Sequence, residues 1–479
     1  MKKIMEPQLK PKELASSNNQ YRFINMRPGG NDTSLIMGIV KDPFERIKIN
    51  DEIMSLYPSG SPNQIEQVGF VDFKPNSTEL MMAGGEFCGN ATRSAAYLAL
   101  KGMPGQIRIK AGGVEDALIA GVTTDGESYA QMPIYSDPDR VQIDSSNPEN
   151  NFVYMEGITQ YVDWNTTQIK GKDEEEIKKI GMDIIRKNGL DTEPAAGVMF
   201  AKRTRKGIEI TPVVYVKNSN TLFLETACGS GTTAVGMVLA KNSGNSIIEE
   251  PIIQPSGQTI KVSINFDGTR FNYAQIQGLV EILNMGTLIE TDDGPIVIER
   301  IYTSQQLGQY LENGELLSAY NIIFGGPPYD EVFSYEEVAT DFNEYQKDGT
   351  LFFARNKNGL IGFGAAVPLS KKKEIAEIAK QFGIPIESTQ YMADLGVLSE
   401  WRRKSIAEVL VKERIKSFAK GTTVLMRTSE SNTASQRLYK KLGFIQVTDQ
   451  DREMQQEVRQ KRTSGEFERD RRIFFKKIV

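Results

Sequence analysis

The chain has 479 residues, 39% hydrophobic and 25% charged, and its 57 basic and 62 acidic side chains leave a net charge of −5. That length sets an expectation of about three domains at roughly 150 residues each, and that charge provides no electrostatic footprint for nucleic acid or an acidic membrane. Histidine is absent and cysteine occurs twice, which excludes every imidazole mechanism and leaves thiols, carboxylates, tyrosine, hydroxyls and backbone to carry chemistry.

Residues 1–20 are polar, broken by proline and charge, and lack the apolar stretch of a secretory leader. A flexible tail on a cytoplasmic protein with reduced thiols is expected. No run approaches the ~18 apolar residues of a membrane span. From 21, YRFINMRPGGNDTSLIMGIV predicts a strand, a Pro-Gly-Gly-Asn-Asp turn containing Asn31, and a second strand. QIEQVGFVDF at 64–73 predicts a strand with Glu66 near its start. GGEFCGNATRSAA at 84–96 then sets Cys88 ahead of a small-residue helix that should be buried on most sides. Strands follow over QIRIKAGG, EDALIAGVT and SYAQMPIY, and an Asn-rich span at 145–151 marks a boundary between two lobes.

The second lobe repeats the plan. EEEIKKIGMDIIRKNGL is an amphipathic helix closed by Asn-Gly, and strands over AAGVMFAKRT, IEITPVVYV and NTLFLETA lead to Cys228 in LETACGSGTTAVG at 224–236. Further strands end near 290. The two cysteines therefore sit in two copies of one frame, each followed by glycine, a small polar residue and a helix start. A helix N-terminus offers unpaired N–H groups and partial positive charge, so it can hold a carboxylate and lower a thiol's pKa. Facing copies would grip a carboxylate between two sulfurs. Inverting an α-carbon needs a base on one face and an acid on the other, and a thiolate–thiol pair can exchange those roles without a cofactor. Buried structural cysteines or a disulfide are the bland alternatives. A zinc site is not expected, since there is neither CxxC nor histidine.

EQVGF, EFCGNAT, QMP, ETACGSGT, QPSG and QGLVE, in this order, resemble the cofactor-independent diaminopimelate epimerase superfamily over about 21–290, and most of all its histidine racemase branch, which serves opine metallophores. The resemblance implies that Cys88 and Cys228 are the acid/base pair and that Gly89, Asn90, Gly229 and Ser230 hold the α-carboxylate. It implies further that Asn31 lies in the site and that Glu66 is an acidic active-site residue; a surface-strand glutamate is the alternative. Diaminopimelate epimerases carry a Glu-Arg pair where this chain has Thr221-Leu222-Phe223-Leu224, so a distal carboxylate would lack a partner. Proline racemases carry Cys-Gly-His where this chain has Cys-Gly-Asn. Free histidine, or another polar or aromatic amino acid, fits better; an isomerase of another small acid stays open.

From about 295 the texture changes. IVIERIYTSQQLGQYLENGELL predicts a strand and a helix, FGGPPYDEVFSYEEV a lid or substrate loop, and TLFFARNKNGLIGFGAAVPL a hairpin through Asn-Gly. A strand over Met392–Val397, a turn and a helix from about Ile406 follow, then SNTASQRLYKKLGF. These resemble the GCN5-related N-acetyltransferases (GNAT) over roughly 295–479. The resemblance implies acetyl-CoA bound by Leu395, Val397, Arg402, Arg403, Lys404, Ser405, Ile406, Ala407 and Asn432, with Tyr439 as general acid. Ser405 stands where that family has glycine, which puts close backbone approach in doubt. Asn432 as a helix cap and Tyr439 as a packed aromatic are the alternatives, and a second unit with only a binding role stays open. Glu331 and Asp394 are candidate general bases. DREMQQEVRQKRTSGEFERDRR at 451–472 reads as a solvated helix and hairpin return. The expected fold is α+β: a tail at 1–20, two pseudo-symmetric lobes at 21–148 and 149–292, each a mixed sheet around a central helix, and a GNAT domain at 293–479. An amino-acid substrate and acetyl-CoA are the expected partners, nucleic acid and membrane are not, and a homodimer is left open.

Overall fold

The computed structural model describes residues 20–61, 63–74, 77–143, 150–218, 220–327 and 329–479. The tail expected over 1–20 lies, apart from Gln20, outside the described residues, as does most of the 145–151 span. Contacts divide the chain into two compact units, Met1–Met285 and Gly286–Val479. No helix among the described residues is long and apolar enough to cross a membrane.

The first unit is one strand plan built twice. In its first half Gln20–Pro28 runs antiparallel to Thr33–Met37, which lies parallel to Gln67–Lys74. That strand is antiparallel to Ser77–Met82, which lies parallel to Gly105–Ala111, and Leu118–Val122 and Ser128–Gln131 complete the sheet antiparallel. In the second half Asn150–Met155, Ile158–Asp163, Ala195–Thr204, Gly207–Val216, Ile247–Ile253, Thr259–Phe266 and Phe271–Gly278 repeat the same order of pairings. The halves join where Ser128–Gln131 pairs with Phe271–Gly278.

A parallel pair needs a crossover connection, and helices fill all four. They are α1 (Pro43–Leu56) and α2 (Gly89–Ala99) in the first half, α3 (Glu174–Lys187) and α4 (Gly229–Ser243) in the second. α2 and α4 are rich in Gly, Ala, Ser and Thr, so strands can close around them; α2 is buried from Gly89 through Ala96. α3 is the expected amphipathic helix, capped by Asp173 and closed at Asn188. α1 was not expected. Asp42 caps it by accepting from Phe44 N at 3.0 Å, and Pro43 occupies the first turn, where its missing N–H costs nothing.

In the second unit Ile296–Arg300, Thr350–Asn356, Gly359–Pro368 and Thr389–Val397 pair antiparallel in succession. Thr423–Ser429 then lies parallel to the last of these and antiparallel to Phe467–Ile478, which also pairs with Gln455–Lys461. α5 (Ser304–Glu312), α6 (Glu315–Phe324), α7 (Tyr335–Asp348) and α8 (Lys373–Lys380) share a core with Leu425 and Phe474. α9 (Ile406–Lys416) and α10 (Thr433–Lys441) pack with Val424, Met426 and Phe475, the alternate residues and hence the opposite face.

Three expectations are corrected in this unit. The single helix expected after 300 is two, broken at Asn313-Gly314, where Gly314 takes φ +77°. The expected 324–338 loop ends early, because Ser334 and Glu337 form a reciprocal cap that starts α7. The charged 451–472 segment contains no helix; Gln455–Lys461 pairs instead with Phe467–Ile478 along its whole length.

Two irregularities shape the sheet. The Thr389–Val397 and Thr423–Ser429 strands are in register only over Thr389–Met392 and Thr423–Met426, and beyond those residues they part. Just there Gly364 faces Leu395 and Ala366 faces Met392, so Ala393 and Asp394 together oppose Ala365 in a β-bulge. The fully buried Arg414 donates to the Ala365 carbonyl at 2.7 Å and to the Asp394 carbonyl at 3.0 Å. It thereby satisfies groups the bulge removes from the ladder.

Candidate active sites

Cys88 and Cys228 occupy the N-cap positions of α2 and α4 with nearly the same backbone, φ/ψ of −134°/114° and −126°/112°. Each sulfur accepts from the third residue of its own helix, Ala91 N and Gly231 N, at 3.3 Å. The remaining first-turn donors, on Gly89, Asn90, Gly229 and Ser230, have no intrahelical partner. The helix ends abut: Asn90 Nδ2 donates to the Ala227 carbonyl at 3.1 Å, and Ile276 lies under both Gly89 and Gly229. A side chain at either glycine would collide with it, since an added Cβ would sit 2.9 Å and 2.7 Å from Ile276 Cδ1.

Both thiols open into one cavity of about 160 Å³, which Asn31, Glu66, Gly89, Asn90, Gly229 and Ser230 also line. Every residue assigned to this site from the sequence thus converges on one space. The sequence reading missed Glu86, Glu225, Gln67 and the α1 residues Asn50 and Asp51, which share that lining. Glu86 and Glu225 lie inside the quoted cysteine motifs, two and three residues ahead of the sulfurs, and that proximity was the available signal. Four lining side chains are carboxylic, Asp51, Glu66, Glu86 and Glu225, and among the described lining residues none is Lys or Arg. Thr221 and Phe223 face the cavity, while Leu222 and Leu224 pack in an apolar cluster.

The two sulfurs differ in their neighbours. Cys88 donates to the neutral Gln67 Oε1 at 3.2 Å, and Gln67 in turn donates to Asn31 Oδ1 and to Thr33 Oγ1. Cys228 lies 3.4 Å from Ser230 Oγ, itself held by Gln160 Nε2, and is hydrogen-bonded to Glu225. Burial pushes the Cys88 thiol up to about 12 and Cys228 well above its usual range. The lowered thiol pKa expected from the helix ends is therefore not found, because desolvation outweighs the amide at each sulfur. Glu66 accepts from Asn31 Nδ2 (3.1 Å), Gln64 Nε2 (3.2 Å), Thr226 N (3.2 Å) and Thr226 Oγ1. It therefore ties the two halves together, and burial still raises its pKa.

Burial raises Glu225 to about 8. The folded protein thus keeps a proton that the unfolded chain releases near pH 4.5. Its contribution to stability is fullest below that pH and declines as pH rises to about 8. Glu225→Gln should therefore gain stability relative to the parent between pH 5 and 8, by on the order of 1–3 kcal/mol. Thermal melts of both proteins across that window test this, and a pH-independent difference would refute it.

In the second unit, Leu395 and Val397 lie on the strand that leaves the bulge, and the 402–407 turn leads into α9. Arg403 and Ser405 adopt φ of +64° and +61°. Ser405 thus takes the left-handed conformation that glycine would supply, at a cost of about 1–2 kcal/mol. Ser405 makes no side-chain cap bond, so the first N–H groups of α9 stay open beside Arg402, Arg403 and Lys404, which fits an anionic pyrophosphate. Arg402 Nε also donates to the Val397 carbonyl at 3.1 Å, and Lys404 pairs with Asp293. Asn432 caps α10 through Ser435 N at 3.0 Å and donates to Tyr329 Oη at 3.1 Å. Tyr439 is buried, and burial raises its pKa. Asp394 accepts from Tyr345 Oη at 3.1 Å and Tyr320 Oη at 3.4 Å, and burial raises it to about 6. Glu331 lies 4.0 Å from Arg472.

Racemases and epimerases, and N-acetyltransferases that take acetyl-CoA, are the enzyme classes these two sites define. The family described as Histidine racemase CntK N-terminal domain matches residues 20–289, and the Acetyltransferase (GNAT) family matches residues 316–444. The chain belongs to the first family and carries a GNAT module after it; it is an enzyme with racemase and N-acetyltransferase activities, and the second module implies acetyl-CoA as co-substrate. A histidine racemase of Fusobacterium nucleatum subsp. nucleatum is 31% identical over 251 residues, 49% of this chain and 86% of that protein. A histidine racemase of Staphylococcus aureus is 26% identical over 257 residues, 50% and 88% of the two chains. A solved hydroxyproline epimerase from Agrobacterium vitis is 12% identical with a TM-score of 0.40, covering 58% of this chain and 96% of that one.

Proposed function

We propose that the first unit racemises free histidine with Cys88 and Cys228 as the two proton carriers, and that the second acetylates an amine from acetyl-CoA. The observation that carries the reading is the cavity itself: two thiols at paired helix N-termini, four carboxyl side chains and, among the described residues, no basic one. The α-carboxylate lies on the N–H groups of Gly89, Asn90, Gly229 and Ser230. A positively charged or N–H-donating side chain then meets Glu66, Glu86 and Glu225, whereas an anionic one would lie unpaired among acids. Imidazole meets that requirement.

Substrate binding also changes the electrostatics around the thiols. The substrate's α-ammonium brings positive charge beside thiols that burial holds protonated, and this favours a thiolate on one side. That thiolate takes the α-proton from one face while the opposite thiol delivers its own proton to the other. The two units act in sequence, the first setting a stereocentre and the second capping that amine or a product built from it, as a step in making a metallophore-type metabolite. Incubating the protein with a panel of L-amino acids in heavy water tests the assignment. Histidine should exchange its α-hydrogen and racemise. Exchange confined to other amino acids would discard histidine, and no α-exchange at all would discard the thiol mechanism.

A further inference from the structure

The acetyltransferase unit holds a cation, Arg427, that has no anionic partner among the described residues. Tyr391 and Leu425 are register partners, so their side chains share the face covered by α5–α8. Arg427 lies two residues beyond Leu425, opposite Phe474 on the neighbouring strand, and so projects from that same face. At Arg427 the Thr389–Val397 strand has already departed. Arg427 therefore stands at the mouth of the opening between the strands, across from the bulge that presents Asp394. The Tyr391 phenol, on the same face, feels the charge of Arg427, Asp394, Arg472 and Tyr439.

The two guanidinium groups there differ. Arg472 reaches Asp470 at 2.6 Å and Glu331 at 4.0 Å and covers the Tyr329 ring. Arg427 donates to the neutral Gln456 Oε1, and among the described residues no carboxylate lies within ion-pair distance of it. A partly buried guanidinium with only an amide partner, beside the groups suited to acetyl transfer, is completed by an incoming anion.

We infer that the acetyl acceptor carries a carboxylate close to its amine, as an amino acid does, and that Arg427 is the specificity residue that holds this carboxylate while the amine faces Asp394. The inference rests on the acetyltransferase reading of this unit. The neutral amine nitrogen bonds to the thioester carbonyl carbon and the carbon–sulfur bond breaks. The amine's proton passes to Asp394, and the departing thiolate takes one from Tyr439, which regains it from solvent. An amino acid leaving the first unit belongs to this acceptor class, so the second reaction can consume the product of the first.

The test compares acetylation of the twenty amino acids, in both configurations, with that of their carboxamides, using the full chain and acetyl-CoA. At least one acid should be acetylated with kcat/KM about 100-fold above its carboxamide, the size expected for one charge-assisted contact. Arg427→Gln should raise KM for that acid about as much and abolish the preference, while Arg427→Lys keeps part of it. Acetyl-CoA binding and the thermal melt of each variant, unchanged from the parent, exclude a folding defect; a variant that fails these controls leaves the acid/carboxamide ratio of the parent as the deciding number. Carboxamides acetylated as well as acids would overturn the inference and leave the transferase standing. Acetyl-CoA binding without acetylation of any acid would also overturn it. Failure to bind acetyl-CoA would remove the transferase reading itself.

Discussion

Alanine in place of Cys88 or Cys228 is expected to cut the racemisation rate by at least ~10³-fold, because one face of the α-carbon then loses the group that serves it. Serine should rescue neither variant. A hydroxyl matches the geometry, yet its pKa lies far above that of a thiol, and burial already pushes Cys88 up to about 12. The single-thiol variants also make a sharper prediction. With one sulfur left, that sulfur can still remove the α-proton of the antipode it faces and return a solvent deuteron to the same face. Each variant should therefore exchange the α-hydrogen of one enantiomer in heavy water with retention, and the two variants should choose opposite enantiomers. NMR combined with chiral chromatography reads both quantities. Full inversion in either variant would remove the two-base mechanism, and exchange of the same enantiomer by both would remove the opposed placement.

How far such a site is legible in sequence depends on how local its parts are. The N-cap cysteine, the following glycine and the small-residue helix are local, so GGEFCGNATRSAA and LETACGSGTTAVG identify both thiols and their donors. Glu86 and Glu225 lie in the same motifs, but their raised pKa values come from burial that exists only once the two halves close. α1 escaped for another reason: Ile47, Ile49 and Ile53 form no clean apolar stripe, and Asn50, Asp51 and Glu52 interrupt them. The repeat still held the signal, since α3 fills the equivalent crossover between the second and third strands of the other half. Ser405 shows propensity overridden by context, a non-glycine residue held at φ +61° by the helix that follows it. The 451–472 segment shows the reverse of locality, its strand identity coming from pairing with Phe467–Ile478.

Asp394→Asn is expected to lower acetylation by ~10²–10³-fold, and Tyr439→Phe by a smaller factor. The proposed pairing of roles rests on placement: the two residues approach the opening between the strands from opposite faces, Asp394 with α6 and α7, Tyr439 with the cluster on the other side. In the proposed transfer a base reaches the acceptor from one face and an acid reaches the departing sulfur from the other. Burial sets the direction of both shifts. It lifts Asp394 to about 6 and raises Tyr439, so near neutral pH the carboxylate can take a proton while the phenol still has one to give. The rate should accordingly rise with pH through about 6 as Asp394 ionises, and the asparagine variant should lose that limb while keeping whatever alkaline limb the acceptor amine imposes. Acetyl-CoA binding and the thermal melt, unchanged in both variants, serve as the folding control for this unit, and racemisation, carried by residues of the other unit, should persist. An Asp394→Asn enzyme whose acid limb is unchanged would transfer the base role elsewhere, with Glu331 the next residue to test.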